Sequence, residues 1–157
     1  MKKPADLRKH LEAWVPDLKQ NPDKLHLFIE RGKIACRYGK SLSWLYKYTL
    51  QLIITDFAES PDVLVVPLLI WLSEKQPNLL LSPETIDQVV NFEAEVLNHE
   101  KVDIALTLEL SERVVVTPAD PGYRCDHVDE PPLPDLSGPR HWSIYLKGEL
   151  IGEGVAP

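Results

Sequence analysis

The chain has 157 residues, of which 44% are hydrophobic and 26% are charged, a composition typical of a globular protein with one main domain. Its formal net charge of −7 argues against general wrapping of a polyanion such as DNA. The longest apolar run, residues 63–72, would extend only about 15 Å as a helix and is too short to span a membrane.

The charges are divided unevenly along the chain. Residues 1–47 contain eleven Lys and Arg and five Asp and Glu (+6), whereas residues 48–157 contain six and nineteen (−13). Two solvated faces of opposite charge would explain this division. The alternative is that the basic third of one copy meets the acidic remainder of the next copy.

The N-terminal segment predicts an amphipathic helix from Pro4 to Val15. Leu7, Leu11 and Trp14 recur with the helical period, and Pro16 ends the pattern. The first residues, MKKPADL, contain no apolar stretch, so we expect no secretory signal and we expect synthesis in the cytoplasm.

Residues 25–38 alternate between apolar and polar positions on both sides of Arg31-Gly32, a pair suited to a two-residue turn. This pattern predicts a β-hairpin, with a short helix as the alternative. A longer alternation runs from Tyr46 to Ile54 and predicts a long central strand.

The segment 61–75 predicts a buried helix. Ser60 is expected as its N-cap, Pro61 suits the first helical position, and Pro77 follows the end. Apolar residues lie on all sides of this helix, so one side should pack on the sheet while more chain or another subunit covers the other. Pro67 is expected to bend the helix.

The rest of the chain predicts more strands. Two alternating runs, residues 90–96 and 102–110, are joined by a turn at 98–101, and residues 113–117 predict a further short strand. The proline-rich residues 118–139 predict a stiff, extended connector.

A final hairpin is predicted after this connector. Trp142 and Ile144 share one strand face, and Lys147-Gly148 is suited to the turn. Because a lone hairpin is only marginally stable in water, it must dock on its own domain or on a neighbouring copy.

The predicted fold is therefore α+β. A mostly antiparallel sheet of five to six strands packs against two principal helices, and a C-terminal hairpin follows on a proline-rich linker. We divide the chain into a core at residues 1–117, a linker at 118–140 and an extension at 141–157.

No motif in the chain predicts catalysis. Gly39-Lys40-Ser41 is similar to the end of a phosphate-binding loop, but Ile34 stands where the leading glycine is required. The histidines show no HExxH or His-x-His spacing, and no serine lies in a GxSxG motif. We therefore predict a protein with no catalytic residues, no metal site and no cofactor.

Two polar features allow a functional and a plainer interpretation. Cys36 and Cys125 lie in no metal-ligand spacing, and buried or idle free thiols are favoured over a disulfide. Asp126-His127 and Asp129-Glu130 could bind a divalent cation, but solvated charges in a linker are the favoured interpretation.

A basic and aromatic pattern is formed by Trp44, Tyr46 and Tyr48 together with Lys40 and Lys47. Such residues could stack on the bases of a nucleic acid. The favoured alternative is that the aromatic side chains belong to the core on one face of the strand, while the lysines lie at the rim on the other face.

Several strings of the chain resemble a known family. They are, in order, KPADLRKHLEAWVPDLKQNPDKLHLFIERGKIA, SLSWLYKYTLQLIITDF and VLVVPLLIWLSEKQPNLL, and more loosely SERVVV, PPLPD and IYLKGELI. These strings resemble the tail completion protein R family of temperate contractile-tailed bacteriophages and prophages. The resemblance covers most of residues 3–117 and the last hairpin.

The resemblance implies a noncatalytic structural protein, made in the cytoplasm of a bacterial host, that finishes the phage tail before a head is joined. It implies the fold of tail-terminator proteins, which form a sixfold ring on the last ring of the tail tube. The implied partners are other copies of the chain, the tail tube protein, and a head connector or second completion protein. The sheath is a further candidate partner. The alternatives are a transient assembly factor absent from the particle, a small enzyme, and a nucleic-acid-binding module.

A ring of this kind uses a head-to-tail interface, which requires two different complementary surfaces on each copy. We take the candidates from the basic third, the apolar helix and the final hairpin. The predicted interface residues are Arg8, Lys9, Lys40, Trp44, Lys47, Val65, Leu69, Trp142 and Ile144.

Overall fold

The structure is a computed structural model that describes residues 1–37, 39, 41–81, 89–97, 101–131, 141–146 and 149–155, the last two segments by their backbone alone. The elements, in chain order, are α1 (Lys3–Trp14), α2 (Pro16–Gln20), a 3₁₀ turn (Pro22–Lys24), β1 (Leu25–Cys36), β2 (Trp44–Phe57), α3 (Asp62–Lys75), α4 (Pro77–Leu81), β3 (Val90–Val96), β4 (Val102–Pro118), β5 (Tyr123–Val128), β6 (His141–Leu146) and β7 (Glu149–Val155).

The first five strands form one antiparallel sheet. Its order is β1-β2-β4-β3, and β5 pairs with the far half of β4. Strands β6 and β7 form a separate two-stranded antiparallel sheet. The predicted α+β class, the central position of β2 and the C-terminal hairpin are confirmed.

The core lies between one face of this sheet and the helices. On β2 the buried residues alternate, as do their cross-strand partners on β4, because successive side chains of a strand point to opposite faces. The helices contribute Leu7, Leu11, Leu64, Leu68, Trp71 and Leu72, each at most 1% exposed. Each such large apolar side chain contributes about 1.5–3 kcal/mol of hydrophobic free energy when it is fully buried.

Helix α3 packs one side into this core, as predicted. Leu64, Leu68 and Trp71 are buried there, and the Trp71 Nε1 donates a hydrogen bond to Asp6 Oδ2 of α1 at 2.9 Å. The expected side-chain cap at Ser60 is wrong, because only its backbone oxygen accepts a bond, from the Val63 amide. No helix in the described ranges is long and apolar enough to cross a membrane.

The predicted hairpin at residues 25–38 is wrong. β1 is one continuous strand that pairs with β2 from Leu25 opposite Ile54 to Cys36 opposite Trp44. The extra residue between Ile29 and Arg31 is taken up as an irregularity in the register. A turn is unnecessary here because the fourteen-residue β2 supplies a partner along the whole of β1.

Two further predictions are corrected on β4 and beyond it. Residues 113–117 form no separate strand, since β4 is continuous for 17 residues. The expected connector contains β5, which pairs with Arg113–Pro118. Residues 132–140 lie outside the described part of the chain, and the division into core, linker and extension stays a prediction.

Candidate assembly surface

A charged residue, Glu112 of β4, lies on the helix-facing side of the sheet with only 3% of its surface exposed. Its Oε1 accepts a hydrogen bond from the Tyr48 hydroxyl at 2.5 Å, and its Oε2 accepts one from the Lys2 amide at 2.7 Å. The Nδ1 of His127, on β5, lies 3.1 Å from Oε2. This carboxylate therefore joins the N-terminus, β2 and β5 at one point of β4.

The Lys3 side chain extends the same network. Its Nζ donates to Gln76 Oε1 at 2.6 Å and to the Ser111 oxygen at 2.7 Å, and it lies 3.8 Å from Glu130. The network thus reaches from α1 to the junction of α3 and α4 and to the residues after β5. Buried charges are retained at tolerable cost only when they are paired and hydrogen-bonded, as here.

The pKa values in this network follow from burial and hydrogen bonding. Burial favours the neutral form of Glu112, but hydrogen bonds from Tyr48 and the amides of Lys2 and Lys3 hold its pKa below the usual range. Burial and the bond to Glu112 raise the pKa of Tyr48. Because each of these groups is engaged by another part of the chain, we interpret the network as structural support for the N-terminus and β5.

The acidic cluster of residues 126–130 is not brought together. Asp126 pairs with Arg124 at 2.9 Å, while His127 and Glu130 turn to the network around Glu112 and Lys3. Within the described ranges, no group of three or more His, Cys, Asp or Glu side chains could hold a metal ion. The two cysteines are free thiols, which the sequence favours over a disulfide, and both are exposed.

The aromatic and basic side chains near the start of β2 lie on opposite faces of the sheet. Tyr48 is buried beside Glu112, and Tyr46 stacks on His127 with ring centroids 6.5 Å apart. Lys47 alternates to the other face and is exposed. The interpretation as core and rim is confirmed for these residues, and no aromatic platform beside a basic patch is formed by them.

The outer side of α3 is an exposed apolar surface. Val65, Val66 and Leu69 are 38%, 57% and 42% exposed, although a helix that is apolar all round is ordinarily buried all round. Val65 also borders a groove of about 330 Å³ between α3 and the sheet. The groove is lined by Pro61, Asp62, Leu64, Val65, Val90, Phe92, Ile104 and Leu106.

Strand β3 adds to this apolar surface at the edge of the sheet. The register places Phe92 opposite Leu106 and Val96 opposite Val102, so both belong to the helix-facing side. They are nevertheless 73% and 76% exposed, because none of the helices in the described ranges covers this part of the strand. The alternation of residues 90–96 indicated their face, but the sequence held no signal that this face is uncovered.

The other edge of the sheet, β1, carries a second exposed surface. Ile34 lies opposite Tyr46 on the helix-facing side and is 67% exposed. Arg31 and Lys33 alternate to the other face, where Lys33 lies opposite Lys47. The two outer strands therefore present different surfaces at opposite edges.

The predicted interface residues are scattered by the fold. Val65 and Leu69 lie one turn apart on the exposed side of α3. Arg8 is engaged within its own chain, since it donates to the Leu25 oxygen at 2.7 Å and lies 3.3 Å from Glu12. Arg8 is therefore the predicted residue that is least free to contact a partner.

The remaining predicted residues fall into two groups. Lys9 and Lys47 are exposed on α1 and β2, and Trp44 is half-buried in edge contact with Tyr46. Lys40 and the side chains of Trp142 and Ile144 lie outside what the structure describes. As interface residues, all of these stay predictions.

Comparison with known proteins identifies a family whose sequences this chain matches. The family model for P2 phage tail completion protein R (GpR) matches residues 1–131, which include α1 to β5. The chain belongs to this family. The match therefore spans the residues of the four described helices and of the five-stranded sheet.

A curated relative extends the likeness to nearly the full length. The tail completion protein R of Escherichia phage P2 is 38% identical over 153 residues, which cover 98% of this chain and 98% of the phage protein. No solved structure matches the chain significantly. The membership in the family therefore rests on sequence, and it includes the segment of the C-terminal hairpin.

Proposed function

We propose that this protein completes a phage tail by forming a ring, most simply a hexamer, on the head-proximal end of the tail tube. The ring ends tail growth and provides the surface to which a head is joined. Its partners are further copies of the chain, the tail tube protein with the sheath beside it, and a head connector or second completion protein. The protein acts without catalysis, as a structural component of the virion tail made in the bacterial cytoplasm.

The observation that carries this proposal is the uncovered apolar side of α3 in a member of a tail completion family. Val65, Val66 and Leu69 expose apolar area that the described part of the chain leaves uncovered, which favours contact with another protein. The groove that Val65 shares with Phe92 is lined in part by β3, the outer strand of the sheet. We assign this surface to contact with a neighbouring copy.

Electron microscopy and sedimentation velocity of the pure protein test the ring directly. We expect closed rings, and we expect Val65→Asp with Leu69→Asp to reduce them to smaller species, because charges would be placed in an apolar contact. Tyr123→Asp is the matched control, because it also places a charge at an exposed apolar position, here an aromatic side chain on β5. This variant should still form closed oligomeric rings. Intact rings in the α3 variant would contradict the assignment of this surface.

Mass spectrometry of purified particles tests whether the protein stays in the tail. A structural component persists in the finished particle, with a stoichiometry set by the ring. A transient assembly factor would be required for tails with joined heads but absent from them. Absence from particles that formed normally in its presence would overturn the structural role.

A further inference from the structure

We propose that β1 of one copy adds to the free edge of β3 in the next copy, so that the sheets of neighbouring subunits join through two unlike edges. This inference rests on the proposed ring and specifies the subunit contact. The partner is a second copy of this chain. The pairing is antiparallel and joins residues 31–36 to residues 90–95.

Both strands have an edge available for pairing. In the sheet order β1-β2-β4-β3, the strands β1 and β3 each have a single hydrogen-bonded neighbour among the described strands. The beginning of β1 is occupied by Arg8, which bonds the Leu25 oxygen, so the free part of the edge is its second half. An unpaired edge with exposed apolar residues is a template for another strand.

The charges of the two edges are complementary and lie on the same face. Arg31 pairs with Thr49 and Lys33 with Lys47, which places both cations on the face away from the helices. Glu93 pairs with Ala105 and Glu95 with Asp103, which places both anions on that same face. Within the described part of the chain, none of these four side chains forms an ion pair with its own subunit.

The apolar residues of the two edges lie together on the opposite face. Ile34 on β1 and Phe92 on β3 both belong to the helix-facing side, and they are 67% and 73% exposed. When two sheets join edge to edge, each face of one continues into the same face of the other. Joining β1 to β3 therefore brings cations to anions on one face and apolar residues together on the other.

The strand directions also fit a ring. β1 and β3 run in opposite directions within one copy, because three antiparallel pairings separate them in the sheet. Copies related by rotation about a ring axis keep the same orientation along that axis. The β3 of one copy consequently meets the β1 of the next in the antiparallel sense.

One antiparallel register satisfies all of these pairs at once. In an antiparallel pair of strands, the numbers of the two residues that lie opposite each other always add up to the same sum. A single choice of this sum places unlike charges opposite each other and also places apolar residues opposite each other. The pairs in this register are Lys33 with Glu93, Arg31 with Glu95, and Ile34 with Phe92. The alternating spacing of the cations matches that of the anions, so no shift is needed.

A charge exchange between two variants tests the pairing. The first variant carries Arg31→Glu and Lys33→Glu, and the second carries Glu93→Lys and Glu95→Lys. Each alone has two edges of the same sign, so we expect self-association to weaken by about tenfold or more. In an equimolar mixture the acidic β1 of the first faces the basic β3 of the second, and assembly should be restored.

The matched controls reverse exposed charges elsewhere. Lys19→Glu on α2 and Asp120→Lys between β4 and β5 change the net charge in the same directions but lie on neither edge and not on α3. We expect both controls to assemble as the unaltered protein does. Weakening of the controls to the same extent, or a mixture that fails to recover, would overturn the pairing.

Disulfide trapping tests the register itself. In a chain with Cys36→Ser and Cys125→Ser, the changes Ile34→Cys and Phe92→Cys should give a ladder of covalent oligomers after mild oxidation, while either change alone should not. Rings that microscopy shows but that yield no ladder and ignore the charge reversals would overturn this inference and leave the ring proposal standing. If no rings form, selective binding between the two charge variants would still support the edge pairing and count against the ring.

Discussion

The hydroxyl of Tyr48 in β2 donates a hydrogen bond to the Glu112 carboxylate in β4, and both residues are at most 3% exposed. The two strands are neighbours in the sheet, and the pair sits where α1 and β5 meet them. The bond therefore joins β2 to β4, and the same carboxylate accepts bonds from the Lys2 and Lys3 amides at the N-terminus. We therefore expect Glu112 to contribute strongly to the stability of the fold.

Replacement of Glu112 by Ala should lower the free energy of unfolding by about 3 kcal/mol. The change leaves Tyr48, His127 and two backbone amides without their acceptor inside the protein. Urea denaturation followed by circular dichroism measures the loss. Glu109→Ala is the control, because that exposed carboxylate only bonds Thr49, and it should cost about 0.5 kcal/mol. Equal losses would contradict the role given to Glu112.

Stability should fall on acidification, with Glu112 as one cause. Its pKa in the folded protein lies below the usual value of about 4.3, so its contribution is present above that pH and is lost as the pH falls through the folded pKa. The pKa of Asp17 is also lowered: burial opposes this shift, but hydrogen bonds from Lys24 and Asn21 outweigh it. Urea midpoints between about pH 6 and pH 3 should decline less steeply in Glu112→Gln than in the unaltered protein. An unchanged slope would show that Glu112 is not involved.

Replacement of Phe92 by Ser should separate assembly from folding. The side chain is 73% exposed in a single chain, so the free energy of unfolding of the monomer should change by no more than about 0.5 kcal/mol. Association should weaken by about tenfold, because an apolar residue is lost from the proposed contact. Thermal denaturation and sedimentation velocity on the same samples give both quantities. A loss of stability with normal association would contradict the assignment of Phe92 to the subunit contact.

Ring formation should be slower or weaker at high salt. The attraction between the basic first third of one copy and the acidic remainder of the next is screened by salt beyond about 8 Å at physiological ionic strength. Each surface ion pair contributes about 0–1 kcal/mol. Light scattering after dilution into rising NaCl concentrations follows the rate. Because Arg8 is held within its own chain, reversal of Lys9 alone is the cleaner test of the N-terminal helix. Indifference to salt would show that apolar area alone directs assembly.

Local sequence patterns predicted the helices and strands whose hydrophobic pattern could be followed along the element. The amphipathic stripe of α1, the alternation of β2 and the apolar run of α3 were all recognised, because each period repeats several times within its element. The α+β class follows from these elements. The resemblance of several strings to tail completion proteins was also present in the chain and is confirmed by the family comparison.

Elements that depend on a distant partner were missed. β1 extends through Arg31-Gly32 because β2 is long enough to pair with all of it, and no local signal reports the length of a partner. β4 continues past Leu110 because Glu112, a charged residue in the buried alternation, is satisfied by groups from three other elements. Those groups come together only in the folded chain.

The candidate contact surfaces were predicted in part for the same reason. Composition revealed the division of charge, and the helical pattern revealed that α3 is apolar on every side. The uncovered positions of Ile34 and Phe92, and the common face of the four edge charges, depend on where the helices stop and on how four strands are registered. These are properties of residues far apart in the chain, so they arise only when the strands pair and the helices pack on one side of the sheet.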